Sequence, residues 1–249
     1  MISLEGVSKT FSRDGVTAVT AVQPLNLKLV RGSFTVLVGA NGSGKSTLLD
    51  LIAGAQTPST GRISIHDRDV TRLPEHRRSP WIARVFQNPL AGTASELSIL
   101  DNFRLAALRT RRKRLVIGVN ETFRQQVRER IAELGMGLED KLEQPIGTLS
   151  GGQRQALTLL MSTMDRTDVL LLDEPTAALD PGSARVVMDT AQRIIREHSL
   201  TAVLVTHNLN EALAVGDRLI QVGHGAVMRD LAVAEKSHLT QAEMAGWFL

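Results

Sequence analysis

Apolar and polar positions alternate in two periods along the chain, and the switches between them mark out its elements. Phe34-Thr35-Val36-Leu37-Val38 is an apolar, β-branched run that stops at Gly39 and predicts a buried strand. A glycine-rich loop follows, then a helix from Lys45 to about Ala53, stopped by Gly54. Arg62 to His66, Ile82 to Phe86, Val169 to Leu172 and Thr201 to Val205 predict further strands. The first 30 or so residues predict short strands broken by a turn at Asp14-Gly15. Between Ser98 and about Leu134 the period becomes helical, with Ile99, Phe103, Ala106 and Ala107 on one face and Val127, Ile131 and Leu134 on another. Pro181 to about His198 predicts a helix, with Pro181 in its first turn and Asp180 as cap.

Strands alternating with helices predict an α/β chain with a parallel sheet covered on both faces. The helical middle reads as an insertion between core strands, from about 89 to 164, within a single domain of 1–249. Hydrophobic residues make up 43% and charged residues 22% of the 249, enough apolar material for one ordinary core. There is no cysteine, which removes disulfides and thiolate chemistry and fits a reducing compartment. The N-terminus has neither a signal-peptide nor a lipidation pattern, and no apolar run approaches the ~18 residues of a membrane span. The expectation is a soluble, cytoplasmic protein, held at a membrane by another protein if it works there. Net charge is only +3. Its basic excess gathers in Arg109, Arg111, Arg112, Lys113 and Arg114, either a solvated loop or a contact for anionic lipid or nucleic acid. No aromatic residue interleaves with that cluster, and nucleic acid is not an expected partner.

Three motifs carry chemistry. Gly39-Ala40-Asn41-Gly42-Ser43-Gly44-Lys45-Ser46 matches GxxxxGK[ST] directly between a strand and a helix. Glycines let the backbone curl so that successive N–H groups point at phosphate, and the helix N-terminus adds its positive end. Lys45 can reach β and γ phosphates, and the Ser46 hydroxyl can bind Mg²⁺. Val169-Leu170-Leu171-Leu172-Asp173-Glu174 delivers two carboxylates to the end of a buried strand, 128 positions beyond Lys45. Asp173 would hold Mg²⁺, through water or directly, and Glu174 could polarise an attacking water as general base. Leu149-Ser150-Gly151-Gly152-Gln153 reads as a capped helix start and a second anion site.

Leu-Ser-Gly-Gly-Gln, 24 positions before Glu174, is the signature of ABC ATPases, and the whole chain resembles the nucleotide-binding subunit of an ABC transporter. The resemblance implies a P-loop NTPase fold with an N-terminal antiparallel β subdomain and an inserted α-helical subdomain. It implies ATP and Mg²⁺ as cofactors. Gln87 matches the Q-loop that senses γ-phosphate through Mg²⁺ and water, Asp180 the D-loop, and His207 the switch histidine. Phe11 stands where the family stacks a ring on adenine, with Thr47 beside Ser46 completing the phosphate contacts. Such subunits dimerise head to tail, so Ser150, Gly151, Gly152 and Gln153 are expected to act on a partner's ATP. The dimer would be two identical copies or a pair with a related subunit. The expected assembly includes a separate membrane permease and an extracytoplasmic substrate-binding protein, which puts the chain on the inner face of the cell membrane. Segments Phe86–Thr93 and Leu157–Met161 look like a bacterial subgroup named for tryptophan and tyrosine uptake, which implies import of an amino acid or similar small solute. Pro175 departs from that subgroup, many members of which carry His there, and agrees with ABC ATPases at large. Only 42 residues follow His207, too few for an added regulatory domain. The competing reading is a soluble ABC ATPase acting on nucleic acid or ribosomes; the coiled coils, zinc modules and tandem ATPase domains of that class are missing here.

Overall fold

The computed structural model describes residues 1–13, 16–110 and 118–248. The turn expected at Asp14-Gly15 and the basic residues Arg111, Arg112, Lys113 and Arg114 lie outside the described residues. In chain order the elements begin with strands β1 (Ile2–Arg13), β2 (Val16–Leu29) and β3 (Phe34–Val38), then helix α1 (Lys45–Ala53). Next come β4 (Thr60–Ile65), β5 (Arg68–Asp69), α2 (Glu75–Arg78) and β6 (Ile82–Val85). The middle holds α3 (Ile99–Ala107), α4 (Glu121–Ala132) and α5 (Gly151–Ser162), followed by β7 (Val169–Asp173) and α6 (Pro181–Glu197). The remainder is β8 (Thr201–Val205), α7 (Leu209–Ala214), β9 (Arg218–Gly223), β10 (Ala226–Ala232), α8 (Val233–Lys236) and α9 (Gln241–Ala245).

These elements gather into two compact units, Met1–Arg78 with Ser199–Leu249, and Ser79–His198. In the first unit β1 pairs antiparallel with both β2 and β4, and β5 extends β4. The sequence predicts short strands here; β1 and β2 are instead 12 and 14 residues long. Register shifts at several points, among them Leu4/Val7 and Lys9/Thr10, absorb the breaks in alternation without ending the pairing. The same unit holds β3 between β8 and β9, parallel to both, with Val36 opposite Leu204 on one side and Leu219 on the other. Both β3 and β8 are buried along their whole length, which is why they read as continuous apolar runs. The antiparallel β10 covers the β9 edge.

In the second unit β6 and β7 run parallel, Ile82 opposite Val169. Helix α5 packs against β6, α3, α4 and α6. Its residues Ala156 to Ser162 are all buried, so it is the axis of that unit. Caps fix the helix starts: Ser98, Asn120, Ser150, Asp180, Asn208 and Thr240 each accept a backbone N–H from the following turn. Among the described residues no helix is long and apolar enough to cross a membrane.

One buried cation closes the first unit behind α1. Arg78, 1% exposed, donates to Leu51 and Ile52 O, the last-turn carbonyls of α1, at 2.7 and 2.8 Å. It also donates to Leu73 O and Thr71 O. A positive charge at the carbonyl end of a helix meets its dipole favourably. Burial pulls the guanidinium down to about 10, against the opposing charge of Asp69, so it stays protonated at neutral pH. Arg78→Met should cost about 3 kcal/mol, the penalty of leaving buried carbonyls without donors. A lower urea midpoint with unchanged slope would show it, and an unchanged midpoint would refute it.

Candidate functional site

The loop between β3 and α1 is held from behind by backbone. Gly225 N donates to Ser43 O at 3.0 Å, and Gln23 N donates to Gly225 O at 2.8 Å. A Cβ on Gly39 would lie 2.2 Å from Val222 O and 2.6 Å from Ser43 Oγ. Gly44 has φ 104°, and a Cβ there would lie 2.3 Å from Ala21 O. Glycine at these two positions is therefore a requirement of close packing against β9 and β2, beyond any need of a ligand. Lys45, which begins α1, is buried and donates to Gly39 O at 2.7 Å and Ala40 O at 2.9 Å. Its ammonium closes the loop from within. Asn41, Gly42 and Ser46 are exposed, and Thr47 is half-buried.

This loop fits a polyphosphate. Helix α1 begins at Lys45, directly after the loop, and a helix start of this kind puts the positive end of its dipole at the loop. Ser43 Oγ is buried in the loop without a hydrogen-bond partner, a donor already desolvated. The same unit places Phe11 on β1, 43% exposed, with the Lys9 ammonium 4.9 Å from its ring centroid. An exposed ring face of this kind can stack a heteroaromatic base. His207 is exposed just beyond β8. Thr206 on one side of it donates to Glu211 at 2.6 Å, and Asn208 on the other caps α7. The histidine is thus carried on a short loop pinned at both ends.

In the second unit Asp173 ends β7 and Glu174 follows it. Glu174 has φ 46°, a left-handed backbone conformation that costs a non-glycine residue free energy. Gln87 Nε2, past the end of β6, donates to Glu174 Oε2 at 3.4 Å. Asp173 forms an ion pair with Arg84, Nη2 to Oδ2 at 2.9 Å. The structure brings these groups together at the ends of two adjacent parallel strands, where α/β sheets place ligand chemistry.

Ser150 caps α5 as a full capping box. Its hydroxyl accepts from Gln153 N, and the Gln153 side chain accepts from Ser150 N at 3.1 Å. Asp180 caps α6, accepting from Gly182 N and Ser183 N at 3.0 Å each. Those hydrogen bonds, Ser183 foremost, hold the Asp180 carboxyl below the usual carboxylate range. The two helix starts touch: a Cβ on Gly152 would lie 2.4 Å from Ser183 Cβ, and one on Gly151 would meet Leu179 at 3.5 Å. Gly152 is thereby needed for helix packing as well as for any anion. Among the described residues no cluster of three or more carboxylates or histidines could hold a metal. A divalent ion at Asp173 would need further oxygen ligands beside this carboxylate, a hard oxygen set of the kind Mg²⁺ accepts.

Sequence reasoning missed three residues that hold these groups. Arg84 is a cation inside an apolar strand, which was the available signal. Gln155, fully buried on α5, donates to Phe86 O at 2.9 Å and so fixes the backbone just before Gln87. Gly225 sits in a hairpin, β9 to β10, that the periodicity did not resolve. Gly39→Ala should abolish nucleotide binding in a fluorescent-ATP titration, since its Cβ overlaps Val222 O. Binding within threefold of the parent would show that the loop accommodates the methyl.

Residues 22–177 match the family model described as ABC transporter. The tyrosine transport ATP-binding protein of Clostridioides difficile is 36% identical over 247 residues, 98% of this chain and 97% of that one. The aliphatic sulfonates import ATP-binding protein SsuB 1 of Burkholderia cenocepacia is 35% identical over 93% of this chain, which spans 64% of that relative. A solved ATP-binding cassette, dimeric and in a post-hydrolysis state bound to ADP and Pi, superposes with TM-score 0.81 at 28% identity, over 94% of this chain and 99% of that one. The chain belongs to the ABC transporter family and is an ATP-binding ATPase subunit with the P-loop fold of that family.

Proposed function

We propose that this ATPase drives import of an amino acid or similar small organic solute through a separate membrane permease. The observation that supports it most is the near end-to-end similarity to the tyrosine transport ATP-binding protein. Aromatic amino acids are accordingly the first solutes to screen. An extracytoplasmic substrate-binding protein would deliver the cargo, and the permease would hold the subunit at the inner face of the membrane.

The residues divide the work. Gly39, Asn41, Gly42, Ser43 and Gly44 present backbone amides to the phosphates, Lys45 turns its ammonium to the β and γ phosphates, and Thr47 adds a hydroxyl. Phe11 stacks on adenine. Ser46, Gln87 and Asp173 take the Mg²⁺ side. When bound, the ion neutralises charge on the phosphate oxygens. Glu174 accepts a proton from the attacking water, its carboxylate steered by the Gln87 amide. His207 donates to the γ-phosphate from its pinned loop. In a head-to-tail dimer, Ser150, Gly151, Gly152 and Gln153 face the partner's nucleotide, and Asp180 lies beside that contact. Ser150 suits the task because its oxygen accepts the cap hydrogen bond while its O–H remains to donate. The inserted helices, from about 89 to 164, are the part offered to the permease.

Glu174→Gln should retain ATP binding, slow hydrolysis about 10²–10⁴-fold and accumulate an ATP-bound dimer. Hydrolysis at the parent rate would remove Glu174 from the role of base. Ser150→Arg should stop turnover yet leave ATP affinity of the isolated monomer unchanged. Weakened monomer binding would contradict its assignment to a partner's nucleotide. Tagged Glu174→Gln protein, purified with Mg-ATP from membranes of the source organism, should carry a polytopic permease. Recovery of ribosomes or DNA-repair proteins without a permease would overturn the transport reading.

A further inference from the structure

Strands β6 and β7 run in parallel register with Arg84 opposite Leu171. Asp173 lies two positions beyond Leu171 and so projects on the same face. The two side chains meet there, Arg84 Nη2 to Asp173 Oδ2 at 2.9 Å, 10% and 13% exposed. The Arg84 guanidinium also lies 4.7 Å from the centroid of the Phe86 ring. Phe86 itself is fixed by Gln155 through its carbonyl. Arg84 is thus held between a carboxylate and a ring whose backbone is anchored, and it cannot swing out without breaking both contacts.

We propose that Arg84 is a positioning residue, a resident cation that occupies the Asp173 carboxylate before the metal arrives and keeps free divalent ions out. This rests on the reading of Asp173 as a metal-side residue. A divalent ion approaching Asp173 meets the fixed charge of Arg84 at short range in a site of low exposure, where charges interact strongly. A free ion gains little from a carboxylate already neutralised. An ion that arrives with nucleotide brings the negative charge of the phosphates, which offsets Arg84. The metal is therefore admitted as a nucleotide complex and refused alone.

The test titrates Mn²⁺ into the full chain, following free Mn²⁺ by electron paramagnetic resonance, with and without ADP. Variants are checked for parental far-ultraviolet circular dichroism and melting. Without nucleotide, R84Q should bind Mn²⁺ at least about tenfold more tightly than the parent. That gain should vanish in R84Q combined with D173N, and R84K, which keeps the charge, should stay at the parental affinity. A merely structural ion pair would give no gain on its removal, and an R84Q affinity equal to the parent's would overturn the proposal. A second arm leaves Arg84 in place. D173N alone should leave nucleotide-free Mn²⁺ affinity within twofold and weaken Mn-ADP binding. If D173N weakens nucleotide-free binding as strongly as it weakens Mn-ADP binding, Asp173 is not occupied and the resident-cation proposal fails while the metal-side reading stands. If D173N leaves Mn-ADP binding unchanged, Asp173 does not serve the metal and both fail.

Discussion

The distance of closest approach between the glycine-rich loop and the backbone behind it governs much of the first unit. Val222 O of β9 and Ala21 O of β2 lie where the Cβ atoms of residues 39 and 44 would be. Gly225 joins the same layer through Ser43 O, and Gln23 N closes it through Gly225 O. The loop's shape is thus imposed from outside, by strands distant in sequence, before any ligand arrives. Such pre-organisation lowers the ordering cost of binding. It also explains why the Lys45 ammonium can be buried against Gly39 and Ala40 carbonyls: the curl of the loop gathers these C=O groups around it.

The second unit solves a different problem, that of keeping two carboxylates in consecutive positions on a well-packed framework. Asp173 is neutralised locally by Arg84, and Glu174 is turned away from the strand by its left-handed backbone toward Gln87. Consecutive residues of a strand point to opposite faces. The positive φ at Glu174 is what lets the second carboxylate leave that alternation. The contact between the starts of α5 and α6, through Gly152 and Ser183, ties the capping box of Ser150 to the cap of Asp180. Small residues there let two positive helix ends approach each other.

Much of this could be read from the chain. Strands β3, β7 and β8 are buried throughout or nearly so, so their apolar runs were unambiguous. Helix α1 begins at Lys45 and ends before Gly54, as its punctuation predicted. The caps Ser150 and Asp180 were legible because serine and aspartate compete for backbone N–H groups in a recognisable place. Other features were not legible. The long strands β1 and β2 broke the alternation with bulges, and the β10 face is largely exposed, which blurs its period. Pairings such as Arg84 with Asp173, or Gln155 with Phe86, join residues 89 and 69 positions apart. Only the register of a fold, not local composition, creates them. Among the site residues, Gly39 and Gly152 were read as phosphate-facing, whereas packing alone already demands glycine at both.

The backbone of Glu174 has a consequence for how this sequence can drift. Left-handed φ is borne more easily by glycine, asparagine or aspartate than by glutamate. At this one position mutation toward those residues relieves strain while removing or shortening the proposed base. Selection for stability and selection for turnover therefore pull in opposite directions here. Lineages released from the need to hydrolyse ATP should lose glutamate at this site early and keep the rest of the fold, so its retention marks a copy still under selection as a motor.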